Sequence, residues 1–187
     1  MNGIRVTWIL LLALLAVGCR GEVVAGEQKE VQTVVVGDGP QGGGAALVEG
    51  SVRVEGTASL VAENGREIEL DPGSRMVRVR LDGSERASVS RTRVPALRYV
   101  RARLTFDRVT ADVTGGLVVN GQPVRGTVTV ALPGRGLVVE RDVAMPDPDR
   151  VGETLVVELA ASTWLAAAAG GEVPASVFAA AVRVRTE

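Results

Sequence analysis

Arg98-Tyr99-Val100-Arg101-Ala102-Arg103-Leu104-Thr105-Phe106 alternates apolar and polar residues along its length. Successive side chains of an extended strand point to opposite faces. Val100, Ala102, Leu104 and Phe106 therefore share one face, and Arg101, Arg103 and Thr105 share the other. One apolar face and one solvated face is the pattern of an antiparallel sheet packed on one side only.

The same pattern extends outward from this strand. Val52 and Val54 alternate with Ser51, Arg53 and Glu55, and Ile68 and Leu70 alternate with Glu67 and Glu69. Asn64-Gly65, Asp82-Gly83 and Asn120-Gly121 signal two-residue turns, because Asn, Asp and Gly tolerate the positive φ such turns need. Pro133-Gly134-Arg135-Gly136 marks a further turn. Other strand candidates are 117–119, 124–132, 137–144, 154–159 and 177–184. The one helix signal is Ser162-Thr163-Trp164-Leu165 with its following alanines, starting at a Ser/Thr N-cap and ending at Gly170-Gly171. Many short strands with one polar side predict an all-β fold. The expected form is an antiparallel β-sandwich or open barrel with one short helix near the C-terminus.

Upstream, the layout changes. Arg5 precedes an unbroken apolar run from Trp8 to Val17, followed by Gly18 and Cys19. This is the arrangement of a signal peptide, too short to span a bilayer comfortably. Leu15-Ala16-Val17-Gly18-Cys19 resembles the lipobox of bacterial lipoproteins, with Ala16 where that family usually has Leu. The resemblance implies cleavage before Cys19, a diacylglyceryl group on its thiol and a membrane partner reached through the lipid. It also implies an extracytoplasmic location, at the outer membrane if the source is Gram-negative, because Arg20 replaces the Asp that usually signals inner-membrane retention. The chain then divides into a signal peptide (1–18), a lipidated N-terminus and tether (19–46) and a β-sandwich domain (47–187). The tether contains Gly37, Gly39, Pro40 and Gly42-Gly43-Gly44. Val31 to Val36 interrupts it with strong β-propensity and is expected to add an edge strand.

The composition excludes much chemistry. The chain has no histidine and one cysteine, so Ser-His-Asp triads, histidine bases, thiolate zinc sites and disulfides are ruled out once Cys19 is lipidated. There is no phosphate-cradling or dinucleotide-binding glycine motif. No cofactor, metal or catalytic residue is expected. Carboxylate chemistry remains, and the densest acidic region is Asp142, Asp147, Asp149 and Glu153. Its spacing lacks the glycine and distal glutamate of an EF-hand loop, so a solvated loop is the expected reading. Trp164, Tyr99, Phe106 and Phe178 are too few for the stacking platforms that bind sugars or single-stranded nucleic acid. They are expected in the core, with Trp164 plugging one end, and no nucleic-acid partner is expected.

Tyr99 to Val109, Gly115-Gly116-Leu117 and Val156-Val157-Glu158-Leu159 before Trp164-Leu165 are similar to bacterial secreted β-sandwich domains of uncharacterised function. That resemblance implies fold and location and brings no catalytic residue.

Charge is the one feature above background. The chain carries a net −1, yet residues 76–110 hold nine arginines against three acids, while 19–75 are net acidic. Such asymmetry suits an anion-recognising module using Arg98, Arg101 and Arg103 towards an envelope polymer. It equally suits cross-strand pairing, with Arg78 and Arg80 against Glu67 and Glu69. The functional expectation is a lipid-anchored envelope protein that binds an envelope polymer or protein, or serves as a structural part, without catalysis. The anion module is the first alternative and a carboxylate-dependent hydrolase the second.

Overall fold

A computed structural model of the chain describes residues 27–37, 48–71, 73–145 and 152–187. In chain order the strands are β1 Gln28–Val36, β2 Glu49–Ala62, β3 Glu67–Glu69, β4 Arg75–Arg80, β5 Arg86–Pro95, β6 Tyr99–Gly115 and β7 Val118–Val119. They continue with β8 Gln122–Pro123, β9 Gly126–Ala131, β10 Leu137–Met145 and β11 Gly152–Glu158. Helix α1 Ala161–Leu165, β12 Glu172–Pro174, helix α2 Ala175–Ala181 and β13 Arg183–Thr186 complete the chain.

Two main sheets enclose the core, and no barrel closes. One has the order β13-β11-β1-β5; the other has β12-β9-β6-β2-β3, with β10 also on β6 and β4 also on β2. The long β6 is the spine. It pairs with β2 along one side, while β10 and β9 share its other side, against Tyr99–Phe106 and Thr110–Val113 respectively. Similarly β4 and β3 lie end to end along β2, against Ser51–Gly56 and Ser59–Val61.

The anticipated strand at 98–106 runs on to Gly115, and the bulges explain why its alternation breaks. Glu55 faces Arg108 and Gly56 faces Phe106, leaving Asp107 as an extra residue. The phase resets there, so that Val109, Ala111 and Val113 return to the core. A second bulge leaves Val100 between Arg101 and Tyr99. Val100 is consequently only half-buried and Tyr99 takes the core position, its hydroxyl donating to Pro95 O at 2.9 Å.

The interior is divided. The larger cluster gathers Phe106, Trp164 and Phe178 with Val52, Leu81 and Val173. Phe178 meets Phe106 and Trp164 edge to face at 5.1 and 5.5 Å between centroids. The second cluster gathers Tyr99, Leu60, Leu70, Met145 and Leu155 around Val31 and Val94. Trp164 is fully buried in the larger cluster against Phe178 of α2, in the core as expected.

The fold class is the expected one, an all-β, mainly antiparallel sandwich with short helices near the C-terminus, and four details within it are corrected. Val31 to Val36 lies in an interior strand, not at an edge: β1 pairs in parallel with β11 and antiparallel with β5. Its valines are buried on both faces, with Val31 and Val35 in the two clusters and Val34 and Val36 packed on Val156. A near-continuous valine run marks such a doubly covered strand. The folded domain therefore begins by Gln28, and the interval 19–46 is not all tether. Second, the antiparallel sandwich includes two parallel pairs, β1 with β11 and β12 with β9. Third, 177–184 is not a strand. Ala175–Ala181 is helical after an extended Pro174, and only Arg183–Thr186 is a strand. Alanines tolerate a helix, and proline suits its entry. Fourth, Ser162 lies inside α1; the preceding Ala160 takes the cap position with φ 46°. The two-residue turn holds at Asn120-Gly121, where both residues have positive φ between β7 and β8. At Asn64-Gly65 a turn joins β2 and β3, but it is a three-residue loop closed by Ala62 and Arg66 in which only Gly65 has positive φ. Asp82-Gly83 instead carries the chain from one sheet to the other.

Candidate functional site

Alternation places Arg101 and Arg103 on the outer face of β6, where β10 and β3 supply their partners. Arg103 stands directly opposite Glu140 and donates from Nε to Oε1 at 2.8 Å. Arg101 Nη1 reaches Oε2 of the same carboxylate at 3.1 Å. Glu67, one strand beyond β2, pairs with Arg103 and accepts from Ser59 Oγ. The Arg103 hydrogen bond holds the Glu140 carboxyl below its ordinary value, and Glu140 raises the Arg103 guanidinium. Arg98 lies apart at the β5–β6 turn, 3.9 Å from Glu63. The three candidate arginines thus do not form one cationic patch, since each has a carboxylate partner.

The pairing differs in detail from the expected one. Because β3 and β4 are collinear along β2, Arg78 and Arg80 cannot face Glu67 and Glu69. Arg78 Nε donates to Ser51 Oγ at 2.9 Å and Arg80 pairs with Asp82 at 3.1 Å. Arg53, opposite Arg78, pairs with Asp112 at 3.4 Å. Most of these outer-face arginines are thus paired with carboxylates on their own sheet, while Arg78 is held by a serine hydroxyl.

The acidic candidates are separated. Asp142 stands opposite Arg101 on β10, and Glu153 is buried on β11. Asp147 and Asp149 lie outside the described residues, as does Cys19. Among the described residues no three metal-ligating side chains come together.

A second feature lies between the sheets. Along this side of β2 only Thr57 lacks a ladder partner, between Gly56 opposite Arg75 and Ala58, whose carbonyl accepts from Leu70 N at 2.9 Å. The interruption forms a narrow window beside the edge strand β5. Behind it is a cavity of about 50 Å³. Its lining includes the apolar Val35, Val54, Leu104, Phe106 and Val157 and the polar Thr33, Ser90, Asp71 and Arg75, with Thr33 as buried as the hydrocarbon residues. Thr33 and Ser90 are directly opposite on β1 and β5, and neither hydroxyl has a hydrogen-bond partner. Arg75 pairs with Asp71 and reaches Val89 O on β5 at 3.5 Å, crossing the window.

Comparison with protein-family models, with curated proteins and with solved structures gives no match. The site therefore rests on its own geometry. The sequence reading missed Thr33, Ser90, Asp71 and Arg75. A signal exists for the first: in Val31-Gln32-Thr33-Val34-Val35, Thr33 shares the inward phase with Val31 and Val35, a hydroxyl where the pattern demands a hydrocarbon.

Proposed function

We propose that the chain is an extracytoplasmic lipoprotein, anchored through a lipid on Cys19, whose β-sandwich serves the envelope by binding or as a structural module, without catalysis. One observation carries this: the only cysteine closes the apolar run Trp8–Val17 in a lipobox-like context, just ahead of the first described strand. A diacylglyceryl group with a further acyl chain gives stable anchoring where one chain alone is marginal. Arg20 after the cysteine favours the outer membrane in a Gram-negative source.

The place of β1 sharpens the reading. From Cys19 to Gln28 the chain spans at most about 30 Å when fully extended. A sandwich on so short a leash stays beside the headgroups, with the β5–β6 turn at the end from which β1 starts, as Ala96 N donates to Glu27 O at 2.7 Å. The self-paired outer face argues against the alternative of a polyanion grip by Arg98, Arg101 and Arg103. The scattered acids give no support to a carboxylate hydrolase.

The test is metabolic labelling with radioactive palmitate combined with detergent phase partitioning. Wild type is expected to take label and enter the detergent phase. Cys19→Ser should take no label and remain aqueous or uncleaved. A processed Cys19→Ser protein that partitions like wild type would refute the anchor.

A further inference from the structure

We propose that the window cavity is a binding site for a small neutral ligand that combines a short aliphatic group with one hydroxyl or amide head. This goes beyond the lipoprotein reading and does not depend on it.

Four independent features of the fold converge there. The cavity sits at the seam between the two core clusters, and Ala58 packs against both. Interiors normally close such seams with large side chains. Here the chain supplies Gly56, Thr57 and Ala58, and Gly56 has no room for a larger residue, since a Cβ would fall 2.0 Å from Thr105 O. Both sheets also bulge at this level, at Val89 on β5 and at Asp107 on β6. Bulges bend strands and recur beside binding sites. Furthermore Thr33, only 1% exposed, presents an unpaired hydroxyl to the cavity, with the unpaired Ser90 hydroxyl opposite. A buried hydroxyl without a partner costs stability on its own, so its retention points to a partner that arrives from outside. Finally, a built mouth stands over the opening in the form of the Asp71–Arg75 pair.

The lining specifies the ligand. It is largely hydrocarbon and carries two hydroxyls, each able to donate and accept. A ligand therefore lays its tail on the hydrocarbon and sets its polar head between Thr33 and Ser90. At about 50 Å³ the space is roughly a third of a cavity that holds benzene, so the tail is limited to two or three carbons. Charge selects as well. An anionic head would meet the buried Asp71 carboxylate, and a cationic head would meet Arg75. Their pair neutralises the mouth and leaves a neutral head favoured. Only small, neutral and amphipathic molecules satisfy all three conditions.

The experiment uses the full chain with methyl-labelled valine and leucine, titrated separately with 1-propanol, propionate and propylammonium and followed by NMR. Saturable shifts with 1-propanol, confined to Val35, Val54, Leu104 and Val157, are expected. The two ions should bind at least tenfold more weakly. Thr33→Val keeps the shape of the side chain and removes the hydroxyl, so it should melt no lower than wild type and bind 1-propanol about tenfold more weakly. Ala58→Leu fills the seam and should abolish the shifts. The proposal is overturned if 1-propanol gives no saturable shift in wild type, or if propionate binds as well as the alcohol. Undiminished binding in Thr33→Val overturns it equally. Should Ala58→Leu fail to fold, Thr33→Val decides alone. A slowly exchanging buried water at Thr33 that 1-propanol does not displace would show a hydration site and refute the ligand site.

Discussion

Arg103 and Glu140 stand directly opposite each other on β6 and β10 and share a 2.8 Å hydrogen bond from Nε to Oε1. Arg101 shares the Glu140 carboxylate and Glu67 shares the Arg103 guanidinium, so four charges on three strands neutralise one another.

Arg101→Ala with Arg103→Ala is therefore expected to lower the thermal midpoint, more at low salt than at 1 M, since these side chains are partly exposed and screened. Adsorption to anionic vesicles should not change. A double variant that melts like wild type but loses vesicle binding would restore the polyanion reading.

A chain beginning at residue 47 lacks β1 and is expected not to fold. Loss of β1 removes the buried Val31, Val34, Val35 and Val36 and leaves β11 and β5 without their common neighbour. Circular dichroism melting of chains starting at residues 27 and 47 separates the outcomes. A cooperative β-type transition in the shorter chain would contradict the central place of β1.

Arg141 fastens α2 to the second sheet. Its guanidinium donates to Val182 O at 2.9 Å, to Glu140 O at 2.8 Å and to Ala179 O. Two of these carbonyls lie at the C-terminal end of the short helix α2, where backbone carbonyls run out of helical partners. Arg141→Ala is expected to cost about 2 kcal/mol in urea unfolding. Arg141→Lys should recover only part of this, because an ammonium cannot reproduce the planar fork. Equal stability of Lys and Arg would show that charge alone suffices.

Glu187 accepts from Arg86 and Arg185, and these hydrogen bonds lower its carboxyl from the ordinary 4.5 to about 2. A carboxylate depressed in the folded state contributes stability that is full above the unfolded value and fades as pH falls through the folded one. The stability gap between wild type and Glu187→Gln should accordingly be constant near neutrality and shrink between pH 4.5 and 2. A gap still undiminished at pH 2 would exclude this ion pair as its source.

The strands were legible wherever one face is solvated and the phase is unbroken, as along Arg101–Phe106 and Leu137–Met145. They were illegible where tertiary context overrides the local signal. At Asp107 the bulge shifts the phase, so the second half of β6 escaped notice. Val31–Val36 was legible as a strand, but both faces are covered and alternation vanishes, so its interior place in the sheet was not. In Ala175–Ala181 the alanines and a flanking valine fit helix or strand, and packing beneath Phe106 and Trp164 decides. The arginines at 101 and 103 were visible from alternation, but their partners depend on how β3 and β4 lie along β2, which no local pattern records. The cavity was hidden for the same reason, since Thr33, Ala58 and Ser90 meet only after the sheets assemble.

The parallel alignment of β1 with β11, Glu30 beside Gly152, also fixes when the protein can become itself. A nascent chain emerges N-terminus first; β1 can meet β5 once Pro95 is made, but its other edge must wait for a strand made more than a hundred residues later. Closing so long a loop is slow, and until then the valine-rich segment is exposed to wrong partners. The chain thus stays open along that edge through most of its synthesis. Its completion is a terminal event, timed by the arrival of its last strands.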